Sequence, residues 1–488
     1  MDIAFDKFTK PALLLMKFID HLSSQMNVLT DGHLTCTYMD IPEIFAKIQN
    51  FLAAKEINIE DCLALECDNS VPSALVLLYL LEEGYSFLLL HKASQGADDA
   101  RPFLSKFCRY KIETVNDNGK TAHLNPELFL HIIKNEKWIG KRNIAAQKLY
   151  LRTSGSTGSP KMAVHSHTKL RENVLNCVQR LRLSSNDRIA IPVPIFHMYG
   201  LGAAFLPGVA VGASIDLQKG ANILRYLQRE KAFNPNVVFM TPVFCETLLK
   251  GRKSPRAYKL TVAAGDRIRG DTFAKYESLF GCLVPLYGST EMGAIAAASP
   301  YEPSDLRAKT VGKPMSNVQM RLEKGQEEYA TKEVGELWCH HQYGFEGYVD
   351  ENGEPVAQEY QDGWFRTKDF GRAIPEGYLE VLGRCDHSVN RDGLLVFFAE
   401  VEKAIETIEG IDSAVVISNG ESQRGKRLVA YCVPVKDTNI VETDIRGAIF
   451  NLLPRRAIPD SIVVVNALPL LPNGKVDRQK LISMADKV

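Results

Sequence analysis

Residues 153–158 read Thr-Ser-Gly-Ser-Thr-Gly, and Lys161 follows behind a Ser-Pro step. Glycine lets a backbone approach an anion closely, hydroxyl and amide groups can ring it, and the lysine adds a full charge. A lone run of this composition reads as a surface turn. Its flanks argue for more. "KLYL" before the run alternates like a strand, and "AVHSHTKLRENVLNCVQRL" after it carries helical spacing. The loop is therefore expected between a strand and a helix, where N–H groups can be aimed at an anion. It lacks the Gly-Lys-Ser/Thr ending of a Walker A loop, which argues against a P-loop fold.

The whole chain bounds what such a loop can serve. With 488 residues, 45% of them hydrophobic, it can bury more than one core, since domains rarely exceed ~250 residues without splitting. Fifty-eight basic and 58 acidic residues give a formal net charge of zero, which argues against a nucleic-acid surface or a polybasic membrane patch and for a small partner. The ten cysteines are scattered, with Cys62 and Cys67 the closest pair, so reduced thiols and a cytoplasmic location are expected. "CHH" at 339–341 and "HSH" at 165–167 have no matching second cluster, and zinc is not expected. Asp2 and Asp6 stand where a signal peptide needs positive charge, Lys17 interrupts the apolar stretch, and no run reaches the ~20 apolar residues of a membrane span.

Strand-like and helical patterns alternate through the first 380 residues: "DCLALEC" then "SALVLLYLLEEG", "RIAIPV" then a glycine-rich apolar stretch, "NVVFM" then "PVFCETLLK". "KLTVAAG" and "CLVPLYG" each end at a glycine. This predicts α/β layers with parallel strands, whose ends are where ligands bind. From about Glu333 the pattern turns β-rich, and after Gly383 a compact α+β unit of about a hundred residues follows.

Five stretches in order then carry a resemblance: the 153–161 loop, "YGSTEMG" at 287–293, "DGWFRTKDFGR" at 362–372, "GRCDHSVNRDGLLVFFAEVE" at 383–402 and "PNGKVDR" at 472–478. Together they resemble the signature of the adenylate-forming superfamily, which holds acyl- and aryl-CoA ligases, peptide-synthetase adenylation domains and luciferases. The resemblance spans essentially the whole chain. It implies a large N-terminal AMP-binding domain, 1–384, of layered α/β subdomains plus a β-rich subdomain. A small mobile α+β domain, 385–488, would follow.

The resemblance also implies roles. Thr153, Ser154, Gly155, Ser156, Thr157, Gly158 and Lys161 match the loop around the β- and γ-phosphates of ATP. Tyr287 matches the aromatic that stacks on adenine, with Gly288 beside it, and Ala264 and Gly265 end a strand that lines the acyl pocket in relatives. Thr290 matches the hydroxyl near the α-phosphate, and Glu291 the carboxylate associated with Mg2+. Asp369 takes the place of the ribose-chelating carboxylate, Arg384 that of a ribose or phosphate contact, and Asp386 that of the hinge. Lys475 matches the lysine that bridges carboxylate and phosphate oxygens during adenylation. Alone, "PNGK" would read as a hairpin tip with a solvated lysine.

His197, in "PVPIFHMYG", stands where peptide-synthetase domains have the aspartate that pairs with an α-ammonium. A carboxylic acid without an α-amino group is therefore expected as substrate. Gly288 stands where acetate enzymes carry tryptophan, so acids larger than acetate are expected. Met162, Lys368, Val389, Asn390, Arg391 and Asp392 depart from the family pattern, which leaves two acceptors open, the thiol of CoA or the phosphopantetheine of an acyl-carrier protein.

Overall fold

The structure is a computed structural model. It describes residues 18–488 except 20–25, 93–103, 116–123, 141–145, 154–160, 269, 324–333, 358–359, 392–393, 423–424, 437, 471–475 and 486–488. The chain divides into two compact units, one of Met1–Val178, Leu183–Gly220 and Phe345–Val356, the other of Gln179–Arg182, Ala221–Gly344 and Ala357–Val488.

In the first unit the strands Tyr110–Thr114, Leu63–Cys67, Phe87–His91 and Lys148–Arg152 lie side by side in that order, all parallel. Helix Val71–Glu82 is buried over its whole length, as a helix without a polar face must be. It starts where the Ser70 hydroxyl accepts a hydrogen bond from the Ser73 N–H at 3.4 Å. A second parallel set joins Val28–Thr30, Ser214–Leu217 and Arg188–Ile191.

In the second unit Val237–Met240, Tyr258–Ala264 and Gly281–Ser289 run parallel, and Gly293–Ala297 turns back antiparallel on the last of them. The β-rich part is an antiparallel set of Val318–Glu323, Val334–His341, Trp364–Ile374 and Tyr378–Arg384. The C-terminal part pairs Ile411–Ser422 with Gly425–Pro434 and packs helices Phe398–Glu406 and Glu442–Leu452 around Val401, Ile405, Val416 and Ile449. Arg391 lies fully buried there, donating to the Asp460 carboxylate at 2.8 Å and to the Ile458 carbonyl at 3.0 Å, so its departure from the family pattern has a structural role. Among the described residues no helix is long and apolar enough to cross a membrane.

The alternating pattern and the β-rich change near Glu333 are as the sequence predicts, but the flank of the 153–161 loop is not. Met162–Ser166 is a strand, antiparallel to Lys148–Arg152 with Arg152 opposite Met162 and Lys148 opposite Ser166. The helix starts only at His167. Pairing with the neighbouring strand overrides a helical spacing that belongs to the residues after it. The segments described on either side of 154–160 are thus two paired strands, and the helix follows only after the second of them.

"HSH" straddles the same boundary. His165 is buried in the strand, and His167 is buried at the head of the helix with its ring 6.1 Å from Phe87. Burial pushes the His167 imidazole down to about 4, so it is neutral at pH 7. The unfolded chain protonates this residue near its ordinary value of 6.5, so its contribution to stability is complete above that pH and is lost as pH falls toward 4. Between pH 7 and 4.5, wild type should lose about 2–3 kcal/mol more unfolding free energy than His167→Phe, measured by urea titration. Parallel pH profiles for the two proteins would refute the buried neutral imidazole.

Candidate functional site

Strand Trp364–Ile374 is irregular beside Asp369. Its pairing with Val334–His341 runs Trp338 to Arg366 and then Glu336 to Phe370, so Thr367, Lys368 and Asp369 all face the single residue Leu337. The Thr367 hydroxyl donates to the Leu337 carbonyl at 2.7 Å and accepts from the Asp369 N–H at 3.2 Å. Lys368 takes up the slack at φ 62°, a left-handed conformation that favours glycine. Its replacement of the family glycine thus falls on a position where glycine would be unstrained.

The bulge delivers Asp369 to two partners. Across the hairpin it faces Arg384, whose Nη1 donates to the Thr367 carbonyl at 3.1 Å and reaches Asp369 Oδ1 at 3.5 Å. The Tyr287 hydroxyl donates to Asp369 Oδ2. Burial first, and the Asp369 charge second, push the Tyr287 phenol well above its usual range, so it stays a donor. Tyr287, Asp369 and Arg384 are therefore brought together from three strands, whereas sequence separates the first from the last by nearly a hundred residues.

Thr290 and Glu291 follow Tyr287 in the tight turn between Gly281–Ser289 and Gly293–Ala297, both half-buried. The Ser289 hydroxyl accepts from the Met292 N–H at 3.1 Å and closes that turn. The Glu291 charge reaches the Tyr360 phenol, although burial is the larger cause of that group's upward shift. Pairing slips between Tyr287 and Gly288, and a Cβ on Gly288 would lie 2.2 Å from the Gly293 carbonyl oxygen. At this backbone geometry a side chain at 288 requires the Gly293 carbonyl to move, so local packing bears on the glycine there as well as pocket size. Ala264 ends its strand buried, and Gly265 follows exposed at φ 99°.

In the first unit, the Thr153 N–H donates to the Lys161 carbonyl at 3.1 Å and extends the pairing of the two flanking strands by one bond. Lys161 Nζ lies 5.9 Å from the centre of the Tyr348 ring. Ser154, Gly155, Ser156, Thr157 and Gly158 lie outside the described residues. So does Lys475, although the segment's ends meet where Leu470 bridges Val476 and the Asp477 N–H donates to the Pro469 carbonyl at 2.8 Å. His197 is exposed, 4.7 Å from the Phe196 ring, just ahead of a π-helical turn over Tyr199–Phe205. Asp386 falls in the turn Cys385–His387 directly after Arg384.

Three supporting residues were not singled out from sequence. Thr367 locks the bulge, and its only signal is its place two residues before Asp369. Asn69, buried, donates to the Ile191 and Val193 carbonyls at 3.0 and 2.9 Å and accepts from the Ile195 N–H at 2.9 Å, which fixes the segment leading to His197. Gly200 lets that segment fold back, because a Cβ there would lie 2.1 Å from the Pro194 carbonyl oxygen.

Known proteins match across the chain, with Tyr287, Thr290 and Glu291 inside the first span matched by a family profile. The sequence profile described as AMP-binding enzyme matches residues 126–349, and that of the AMP-binding enzyme C-terminal domain matches 400–475, together more than half of the chain. The chain belongs to the adenylate-forming superfamily. Within these AMP-binding enzymes it is similar to a putative acyl–CoA ligase, YdaB, of Bacillus subtilis, 26% identical over 95% of this chain and 97% of that one. It is also similar to a dimodular nonribosomal peptide synthase of the same organism, 25% identical over 98% of this chain but only 20% of that protein. In structure it resembles ATP-bound MatB from Rhodopseudomonas palustris, with a TM-score of 0.77, 20% identity and coverage of 95% and 96% of the two chains. That likeness carries the fold, a large α/β N-terminal part with a smaller C-terminal one.

The close approach at Gly288 can be tested directly. Gly288→Ala should part the strand pair that presents Tyr287 and Glu291, lowering Tm by several degrees and kcat/KM for ATP by about 10-fold or more. Unchanged values of both would show that the backbone yields to a side chain there.

Proposed function

We propose that the protein activates a carboxylic acid lacking an α-amino group as its acyl-adenylate, releasing pyrophosphate, and then transfers the acyl group to the thiol of CoA. The observation that carries this is the cluster of Tyr287, Asp369 and Arg384 at a strand end, with Thr290 and Glu291 in the turn that follows. It supplies the three kinds of group a nucleoside monophosphate needs, an aromatic ring, a carboxylate for a diol and a hydroxyl. Membership in the superfamily supports adenylation, and the acyl–CoA ligase relative supports CoA as acceptor.

Joining a carboxylate to the α-phosphate brings two anions together, so positive charge and alignment are the main needs. The 153–161 loop with Lys161 would hold the β- and γ-phosphates, and Lys475 would bridge the attacking carboxylate oxygen and the α-phosphate as the P–O bond to pyrophosphate breaks. Among the described residues no group of three or more His, Cys, Asp or Glu forms a metal cage. The Glu291 carboxylate fits Mg2+, which is held by one or two carboxylates together with substrate phosphates. When bound there, the ion would offset phosphate charge.

His197 supports the substrate class. An imidazole lacks the carboxylate that would pair with an α-ammonium, and burying that cation unpaired costs several kcal/mol. The domain boundary at residue 384 and the hinge at Asp386 belong to this proposal, the turn Cys385–His387 lying between the β-rich part and the C-terminal helices and strands. Similarity along 98% of the chain to part of a peptide synthase favours one second reading, in which a phosphopantetheinyl carrier protein takes the acyl group.

Pyrophosphate release across matched acids, with CoA and with a holo-carrier protein as acceptors, tests both readings. A fatty acid should exceed its 2-amino analogue by roughly 10²-fold. Preference for the amino acid would place the chain with the amino-acid adenylation enzymes instead. Lys475→Ala should lower kcat for adenylation by about 10²-fold with little change in KM for ATP, while thioester formation from supplied acyl-AMP survives. Undiminished pyrophosphate release in that variant would remove Lys475 from the mechanism.

A further inference from the structure

Tyr287 meets Asp369 through its hydroxyl, so the residue offers more than a ring for stacking. The bulge sets where the Asp369 backbone lies, but the aim of its carboxylate depends on side-chain contacts. Arg384 is a poor guide: its side chain is 44% exposed and its Nη1 stands 3.5 Å from Oδ1, at the long limit of a hydrogen bond. Tyr287 is a better one. Its ring packs against the core formed by Ala296, Leu337 and Leu379, and an aromatic side chain has only two torsions to fix. A carboxylate offers about four acceptor directions, so one phenol leaves room for two further donors.

We propose that Tyr287 is a positioning residue whose hydroxyl aims the Asp369 carboxylate at the ribose diol, so that one side chain serves adenine with its ring and ribose with its oxygen. This rests on the nucleotide reading given above. It predicts that ring and hydroxyl separate on mutation: Tyr287→Phe keeps the packing and the stacking face and removes only the donor that holds Asp369 Oδ2.

The experiment measures calorimetric affinity for AMP and for 2′,3′-dideoxy-AMP in wild type, Tyr287→Phe and Asp369→Asn, with Tm recorded for each. Wild type should prefer AMP by at least about 10-fold, Asp369→Asn should lose the preference, and Tyr287→Phe should reduce it about 5-fold or more. Affinity of Tyr287→Phe for the dideoxy nucleotide should stay within about twofold of wild type, which a general structural defect would not allow. Full preference in Tyr287→Phe alongside its loss in Asp369→Asn would overturn the positioning role and leave the nucleotide reading standing. Equal weakening of both nucleotides in Tyr287→Phe would also overturn it, since the hydroxyl would then act on the fold or on adenine. Equal binding of both nucleotides by wild type would remove the ribose assignment of Asp369 and this inference with it.

Discussion

Three residues facing one, at Thr367-Lys368-Asp369 opposite Leu337, is the constraint from which the rest of the second unit's site follows. In an uninterrupted strand, Phe365, Thr367, Asp369 and Gly371 would share one face, and three of these four are buried. Asp369 would then point a carboxylate into an apolar layer. The bulge turns it out of that register, and the Thr367 hydroxyl occupies both the Leu337 carbonyl and the Asp369 N–H that the broken ladder would otherwise orphan. The cost is Lys368 at positive φ, of order 1 kcal/mol for a residue with a Cβ. Bulges are common beside active sites because they re-aim one side chain without moving the sheet.

The first unit solves a similar problem with an amide in place of a bulge. Beyond strand Arg188–Ile191 the chain has two prolines among five residues, Pro192 and Pro194, and cannot continue a ladder. Asn69 satisfies the backbone groups left over, reaching Ile191, Val193 and Ile195 from the start of the neighbouring helix. Gly200 then permits the close return over Pro194 that leads into the π-helical turn, a form often found at functional sites. His197 is held at the exposed end of a segment whose backbone is accounted for.

Much of this could be read from sequence where local signals and burial agree. The apolar runs at 63–67, 237–240 and 258–264 are strands, and "YGSTE" and "RTKD" lead to residues that meet in space. What could not be read depends on pairing between distant segments. Met162–Ser166 forms a strand because Lys148–Arg152 lies beside it, and its own residues do not announce this. Gly288 reads from sequence as a matter of pocket size alone, and the Gly293 carbonyl, 2.2 Å from where its Cβ would be, adds a packing constraint. Lys368 looks like a substitution that disturbs the motif, yet it adopts the left-handed conformation that a glycine would favour. Thr367 and Asn69 are ordinary residue types whose importance lies wholly in which backbone groups they reach.

The electrostatics of the cluster also divide the work. Burial keeps the Tyr287 phenol and the Cys385 thiol in their protonated forms, the latter helped by the charge of Glu336. The ionised groups around them come as opposite pairs, Asp369 with Arg384 and Glu336 with Arg366. Such a set is nearly balanced in charge, suited to orienting a neutral nucleoside and poorly suited to offsetting the several negative charges of a triphosphate. That task requires cations that are not already neutralised by carboxylates. Lys161 has the Tyr348 ring 5.9 Å from its Nζ, a contact that stabilises a cation without cancelling its charge. Under the proposed function, recognition of the nucleoside and neutralisation of the phosphates would therefore fall to different segments of the chain.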